Sequence, residues 1–231
     1  ALIGVSAPAT ATAPNTPKAR PAPRPFHVSS MMTATPLVQE PRPTLRVRDA
    51  YLAPLHLDLL RRTVPGASRV AVLWSRTHPS HTQELAEVAS RAKQLGLALE
   101  LFDVTRLEDL QAAFARISAS RPDAILTLFD FRTQRYSGLI AEFASGNGLP
   151  TIFGSRAPVD AGGLMSYGPN LSEMFARAAT FVDRILNGAD PSTLPVEQPT
   201  HFELIINRRT ARTLGVQIPE PLLLRANVLV E

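Results

Sequence analysis

Polar residues that could bind a small molecule follow the ends of several apolar, strand-length segments of the chain. These residues are Ser75 to His78, Asp103, Asp130 to Thr133, Ser155 with Arg156, and Tyr167 with Gly168. If the segments form a parallel sheet, the polar residues meet at its carboxyl edge, where α/β proteins bind their ligands. Carboxylate and guanidinium groups at that edge can bind the ammonium or carboxylate group of a solute.

The stretch from Pro150 to Asn170, PTIFGSRAPVDAGGLMSYGPN, combines two of these segments with the polar loop between them. It therefore lies at the centre of the candidate site. Asp130 and Arg132 lie after the preceding strand, where they either bind charged groups of a solute or form a surface ion pair with each other. Trp74, at the end of the first strand, either stacks on a ligand or packs in the core.

The same residues do not assemble a known type of active site. The turn SRTHPS after the first strand has no glycine, which argues against a dinucleotide site. Ser155 in FGSRA lacks the second glycine of a nucleophile elbow. His78 and His81 have no evident third metal ligand, so solvated loop or cap histidines are favoured over a metal site. No motif indicates a cofactor, and an enzyme that uses Asp130 or Arg156 stays open only as an alternative.

Apolar strands alternate with amphipathic helices through the middle of the chain. The predicted strands are Val70 to Trp74, Leu99 to Val104, Ala124 to Phe129 and Thr151 to Phe153. Their equivalent positions Val70, Leu99, Ile125 and Ile152 are 29, 26 and 27 residues apart, as in right-handed βαβ units. Continuous apolar strands joined by such helices predict an α/β fold with a doubly wound parallel sheet covered on both faces.

Helix boundaries are predicted from capping residues and glycines. Capping boxes beginning at Ser80 and Thr105 start two helices, and Asn170 with Glu173 starts a third. The remaining predicted elements are a short helix around Leu55 to Leu60, a helix around Tyr136 to Phe143, strands Leu164 to Tyr167 and Phe202 to Ile206, and a short helix from Asn207 to Leu214.

Composition excludes several classes of protein. The chain has 231 residues, of which 45% are hydrophobic, enough for a packed core. It has no cysteine, which excludes disulfides, thiolate metal sites and thiol nucleophiles. Because no apolar run reaches about 18 residues, no membrane span is predicted. The net charge of +4 comes from residues 1–50, so the remainder is balanced and no nucleic-acid partner is expected.

The first fifty residues differ from the rest of the chain. They contain nine of the 21 prolines and show no helical or strand periodicity, so residues 1–50 are predicted to be a disordered leader. Ala9 and Ala11 form an A-x-A pattern after an apolar start, which fits the rear half of an export signal or a low-complexity leader. Residues 51–231 are predicted to form the α/β domain.

The combination of GGLMSYGPN, LPVEQPT, FELIIN and TARTLGV resembles the substrate-binding proteins of ABC transporters, in the family with tryptophan- and tyrosine-binding members. The resemblance covers about Leu55 to Glu231. It implies a type I periplasmic-binding-protein fold, in which two α/β lobes close on a ligand at their hinge. It also implies a non-catalytic protein, periplasmic or exported, that delivers a small solute, such as an amino acid or related carboxylate, to a membrane permease.

The resemblance also assigns positions to the cleft. They are Trp74 and Ser75 after the first strand, Asp130 and Thr133 after the third, Ser155 and Arg156 after the fourth, and Tyr167 and Gly168 at the crossover. The family commonly has Asn-Pro after the tryptophan, whereas this chain has Ser75-Arg76.

The resemblance further predicts the arrangement of lobes. The second lobe is expected at about residues 66–163, with crossover and return segments at 164–231 and most of the first lobe missing. The helix from Leu171 to Leu186 would then leave Met174, Phe181 and Ile185 partly unpartnered. Solute binding would be impaired, and a truncated or vestigial product without a ligand is the alternative.

Overall fold

The computed structural model of the protein describes residues 49–231. The predicted leader lies outside these residues, except for Asp49 and Ala50, which are helical. In this part of the chain, seven strands form one sheet in the order β2-β1-β3-β4-β5-β6-β7. The strands are β1 Arg69–Trp74, β2 Ala98–Asp103, β3 Ala124–Thr127, β4 Thr151–Phe153, β5 Met165–Pro169, β6 Phe202–Asn207 and β7 Val228–Val230.

Helices connect these strands. They are α1 Asp49–Thr63, α2 His81–Leu95, α3 Leu107–Ser120, α4 Phe131–Arg135, α5 Ser137–Gly146, α6 Ala157–Asp160, α7 Leu171–Leu186, α8 Arg208–Thr213 and α9 Glu220–Arg225, with a 3-10 helix at Pro191–Thr193. None of these helices is long and apolar enough to cross a membrane.

The sheet is buried on both faces, as the continuous apolar strands predict. Val70 and Val72 of β1 belong to one core, which α1 and α2 cover. Ala71 and Leu73 point to the opposite core, which α3 and α5 cover. All strand pairs are parallel except β5 with β6, where the chain returns antiparallel. The predicted α/β, doubly wound fold class is confirmed.

Helix starts agree only in part with the predicted capping. The box at Ser80 is wrong, because Ser80 has helical backbone angles and its hydroxyl donates to the carboxylate of Glu84 instead of accepting a main-chain N–H. The box predicted to begin at Thr105 begins one residue later: Arg106 is the N-cap of α3, and the carboxylate of Asp109 accepts its N–H at 2.9 Å. The prediction for α7 is confirmed, since Asn170 accepts the N–H of Glu173 at 3.0 Å.

Helix α7 has no buried residue among those the structure describes. Met174 is 41% exposed and Ile185 is 40% exposed. Phe181 is half-buried, with the guanidinium of Arg177 above its ring at 5.8 Å. The apolar face of α7 is therefore incompletely covered by residues 49–231, in agreement with the expectation for this helix.

Asp123, just before β3, joins the beginnings of two strands. Its carboxylate accepts the N–H groups of Ser68 at 2.7 Å and Arg69 at 2.8 Å. These hydrogen bonds lower the pKa of Asp123, and the bond from Ser68 has the largest effect.

Replacing Asp123 with alanine is expected to reduce the free energy of unfolding by about 1–2 kcal/mol, because two main-chain donors lose their acceptor. Urea unfolding measures this, and Glu142→Ala on the exposed side of α5 should change stability by less than about 0.5 kcal/mol. Equal effects of the two variants would contradict the assignment.

Candidate ligand-binding site

Three buried polar residues lie where β1, β3 and β4 end at the carboxyl edge of the sheet. Ser75 is 0% exposed, Asp130 is 6% exposed and Ser155 is 3% exposed. The parallel register of β1 with β3 and of β3 with β4 brings their strand ends to one edge. The structure therefore groups these predicted site residues where the sheet topology places a ligand crevice.

Ser75 begins a turn that is fixed by its own hydrogen bonds. Its hydroxyl lies 2.9 Å from the hydroxyl of Thr77 and 3.4 Å from that of Thr105. The next residue, Arg76, donates its N–H to Asp103 at 2.9 Å and forms an ion pair with the same carboxylate. Asp103 thus connects the end of β2 to the turn after β1, and the side chain of Ser75 is enclosed by its neighbours.

His81 is not a solvated or cap histidine, so that prediction is wrong for this residue. Its side chain is fully buried and connects two strand ends. The N–H of Ser75 donates to Nδ1 at 2.9 Å, and Nε2 lies 3.1 Å from the carbonyl oxygen of Phe129. Nδ1 also lies 3.1 Å from the carbonyl oxygen of Ser75, but because the Ser75 N–H can only donate, we assign Nδ1 as the acceptor and the ring proton to Nε2. Burial lowers the pKa of His81, while the Phe129 carbonyl and the Asp130 charge oppose this.

A third potential metal ligand lies beside the two histidines. Donor atoms of His78, His81 and Glu84 lie within 4.8 Å of one another. His78, His81 and Glu84 follow one another at intervals of three residues, which places their side chains on the same side of α2 and the turn before it. However, both ring nitrogens of His81 already bond the main chain, so a metal would have to break one of these bonds. The cluster fits a structural role better than a metal site.

Asp130 precedes α4, a short helix that the sequence did not predict. Its carbonyl oxygen accepts the N–H of Gln134 at 2.8 Å and the hydroxyl of Thr133 at 2.8 Å. Thr133 is 3% exposed, and its hydroxyl also lies 3.3 Å from the carbonyl of Leu128. Thr133 therefore stabilises the start of α4, and this helix fixes the main chain at Asp130.

Ser155 and Arg156 behave differently from each other. The hydroxyl of Ser155 donates to the side-chain oxygen of Gln134 at 2.7 Å, which connects the end of β4 to α4. Arg156 is an accessible cation, with 55% of its side chain exposed, in a 3.0 Å ion pair with Asp160. An exposed pair of this kind contributes little to stability, so the guanidinium is available to a carboxylate ligand at small cost.

Tyr167 and Gly168 lie at the end of β5, beyond its pairing with β4. The carbonyl oxygen of Tyr167 accepts a hydrogen bond from Nε2 of the buried His56 at 2.6 Å. Gly168 lies against Gly154 so closely that an added Cβ would be 1.9 Å from the Gly154 carbonyl oxygen. Gly168 therefore has a packing role at the crossover, and Tyr167 is half-buried beside it.

The two aromatic residues at this edge have different surroundings. Trp74 is half-buried and packs on the core below α1 and α2, which agrees with the core alternative. Phe131 is 67% exposed, and its ring meets that of Phe129 edge to face at 5.5 Å. Phe131 follows Asp130 directly, so an apolar ring and a carboxylate stand next to each other. The run LFDFRT placed both residues after a strand, but sequence alone did not distinguish Phe131 as exposed.

Comparisons with known proteins agree with this architecture. A conserved domain protein from Vibrio cholerae O1 biovar El Tor strain N16961 has a TM-score of 0.69 and 23% identity over 77% of this chain and 60% of that one. An ABC domain in complex with L-Trp from Streptococcus pneumoniae has a TM-score of 0.69 and 22% identity over 77% and 62%. The ligand-free, open structure of a substrate-binding protein with adhesive properties from Clostridium difficile has a TM-score of 0.56 and 19% identity over 76% and 58%.

These similarities show the fold, which is that of type I periplasmic binding proteins. The chain spans about three fifths of the length of the first two structures. No curated protein sequence is significantly similar to the chain. Residues 42–230 match the family model of ABC transporter substrate binding proteins. The match includes every strand of the sheet and all of the candidate site. The chain therefore belongs to the ABC transporter substrate-binding protein family.

Proposed function

We propose that this protein is the solute-binding component of an ABC importer and that the carboxyl edge of its sheet is one wall of the binding cleft. The observation that carries the proposal is the juxtaposition at this edge of a buried carboxylate, Asp130, with an accessible apolar ring, Phe131. Asp130 would bind an ammonium group, and Arg156 after the next strand would bind a carboxylate. The solute is then an amino acid or a related small carboxylate.

The remaining parts of this proposal follow from the family. Residues 66–163 would form the second lobe, and residues 164–231 would form the crossover and return segments. The partner would be a membrane permease of the ABC type, and the protein would work outside the cytoplasm, in the periplasm or an equivalent exported location. The family is one of substrate-binding proteins and not of enzymes, which supports a function without catalysis.

A thermal-shift screen against free amino acids and small carboxylates tests the proposal. A solute present at 100 times its Kd stabilises the native state by about 2.7 kcal/mol, which raises the unfolding midpoint by roughly 5–10 °C. Asp130→Asn should abolish the shift, because the neutral amide cannot pair with an ammonium group. Glu142→Gln removes a carboxylate on α5 and should leave the shift unchanged. If no compound of the screen raises the midpoint of the wild type, the proposal is wrong.

The exposed ring of Phe131 provides a more specific prediction. Phe131→Ala should weaken binding of L-tryptophan by about tenfold, because apolar contact area with a large side chain is lost. Binding of glycine, if present, should change little. Leu139→Ala removes a side chain that is 46% exposed on α5 and serves as the control. Isothermal calorimetry measures these affinities, and an unchanged affinity of Phe131→Ala for L-tryptophan would place Phe131 outside the cleft.

A further inference from the structure

We propose that His81 is a positioning residue of this site, which joins the ends of β1 and β3 and thereby sets the distance between Ser75 and Asp130. The inference rests on the proposed function for its role in binding. The connection that His81 makes between the two strand ends is independent of the proposed function, because it follows from the hydrogen bonds of the ring.

The two groups that His81 bonds have no partner in the sheet ladder. Pairing of β1 with β3 ends at Leu73 and Thr127, and pairing of β1 with β2 ends at Trp74 and Asp103. The N–H of Ser75 and the carbonyl of Phe129 lie beyond these ends, one on each strand. The hydrogen bond of the Ser75 N–H is buried and that of the Phe129 carbonyl is partly buried, so a side chain that bonds both groups replaces partners that the sheet does not provide.

Only a side chain with one acceptor and one donor can satisfy both groups. The neutral imidazole of His81 accepts from Ser75 with Nδ1 and donates to Phe129 with Nε2. A carboxylate has no donor and an ammonium group has no acceptor, so neither could replace it. His81 therefore connects the two strands through a single rigid ring.

The ring is also held in place from the side. His78 stacks on it with a centroid distance of 4.2 Å and an interplanar angle of 29°. His81 is the first residue of α2, so its main chain is fixed by the helix. The residue after Phe129 is Asp130, and a displacement of the Phe129 carbonyl would move that carboxylate with it. Ligand-binding groups need such support to keep their geometry.

Two substitutions separate positioning from packing. His81→Gln keeps one acceptor and one donor, whereas His81→Leu has a similar volume without polar atoms. In the protein without solute, hydrogen exchange of His81→Leu should rise at Ser75 and at residues 129–133, while α3 and α5 keep their protection. His81→Gln should retain most of the wild-type protection. His56→Leu is the matched control, because it removes another buried histidine and should leave Ser75 protected.

Affinity for L-tryptophan, measured by calorimetry, gives the second readout. His81→Leu should bind at least about tenfold more weakly than the wild type, whereas His81→Gln should stay within about threefold, because only leucine leaves both main-chain groups unsatisfied. A uniform rise in exchange over the whole sheet, or equal behaviour of the two variants, would overturn the positioning role. If the wild type binds no solute, the proposed function fails, and the exchange pattern alone decides whether His81 fixes the two strand ends.

Discussion

Replacing Gly168 with alanine is expected to destabilise the protein by about 3 kcal/mol or more. The Cβ of alanine would lie 1.9 Å from the carbonyl oxygen of Gly154 and 2.8 Å from its carbonyl carbon. Both contacts are with main chain, which cannot rotate away as a flexible side chain could. The strand β5 would have to separate from the end of β4, and the neighbouring carbonyl of Tyr167 would move away from His56.

The control for this prediction is alanine at Gly138 in helix α5. A Cβ at Gly138 meets no atom within 4 Å. Because glycine is less favourable than alanine in a helix, Gly138→Ala should stabilise the protein by about 0.5–1 kcal/mol. Urea unfolding of the two variants measures the contrast. A Gly168→Ala variant as stable as the wild type would show that β4 and β5 do not approach this closely.

The central part of the fold was predictable because its strands are continuous and apolar. Leu73 and Ile125 belong to runs that cannot be exposed on either face, so their sequence alone required a covered parallel sheet. The short elements α4, α6, α9 and β7 were missed. They have three to six residues, too few for a clear helical or strand period, and packing against the sheet determines them.

The site was predictable in position but not in its internal bonding. A strand end can be located from sequence, which is why Ser75, Asp130 and Ser155 were found together at one edge. The partner of a buried polar group depends on distances between elements that are far apart in the chain. His81 lies 48 residues from Phe129, and no spacing pattern in the sequence indicates that their atoms meet.

The second large effect is expected from His56, whose protonation should make the fold sensitive to acid. The ring of His56 is buried on α1, with Nε2 donating to the Tyr167 carbonyl at 2.6 Å. Its other nitrogen, Nδ1, has no hydrogen-bond partner among the described residues. Protonation would add a charge and an unsatisfied donor to an apolar core. Burial accordingly lowers the pKa of His56 from 6.5 to about 4.

This lowered pKa makes stability rise with pH. Below pH 6.5 the unfolded chain binds a proton at His56, whereas the folded protein remains neutral there until the pH approaches 4. The contribution of His56 to the free energy of unfolding is therefore fully present above pH 6.5 and is lost as the pH decreases to 4. The loss is about 1.4 kcal/mol per pH unit and about 3 kcal/mol in total. His81, whose pKa is also lowered, adds to this loss.

The variant His56→Gln isolates the contribution of this residue. Its amide can still donate to the Tyr167 carbonyl but does not titrate. The slope of the free energy of unfolding against pH should therefore be smaller in the variant, by the amount that corresponds to about one bound proton. The interval from pH 6.5 to 5 is the informative one, because carboxylates such as Asp109 and Asp123 have lowered pKa values and titrate only at lower pH. Urea unfolding at several pH values gives both slopes. Equal slopes for the variant and the wild type would mean that His56 binds a proton in the folded protein as readily as in the unfolded chain. The contact between α1 and β5 would then be looser than its 2.6 Å hydrogen bond indicates.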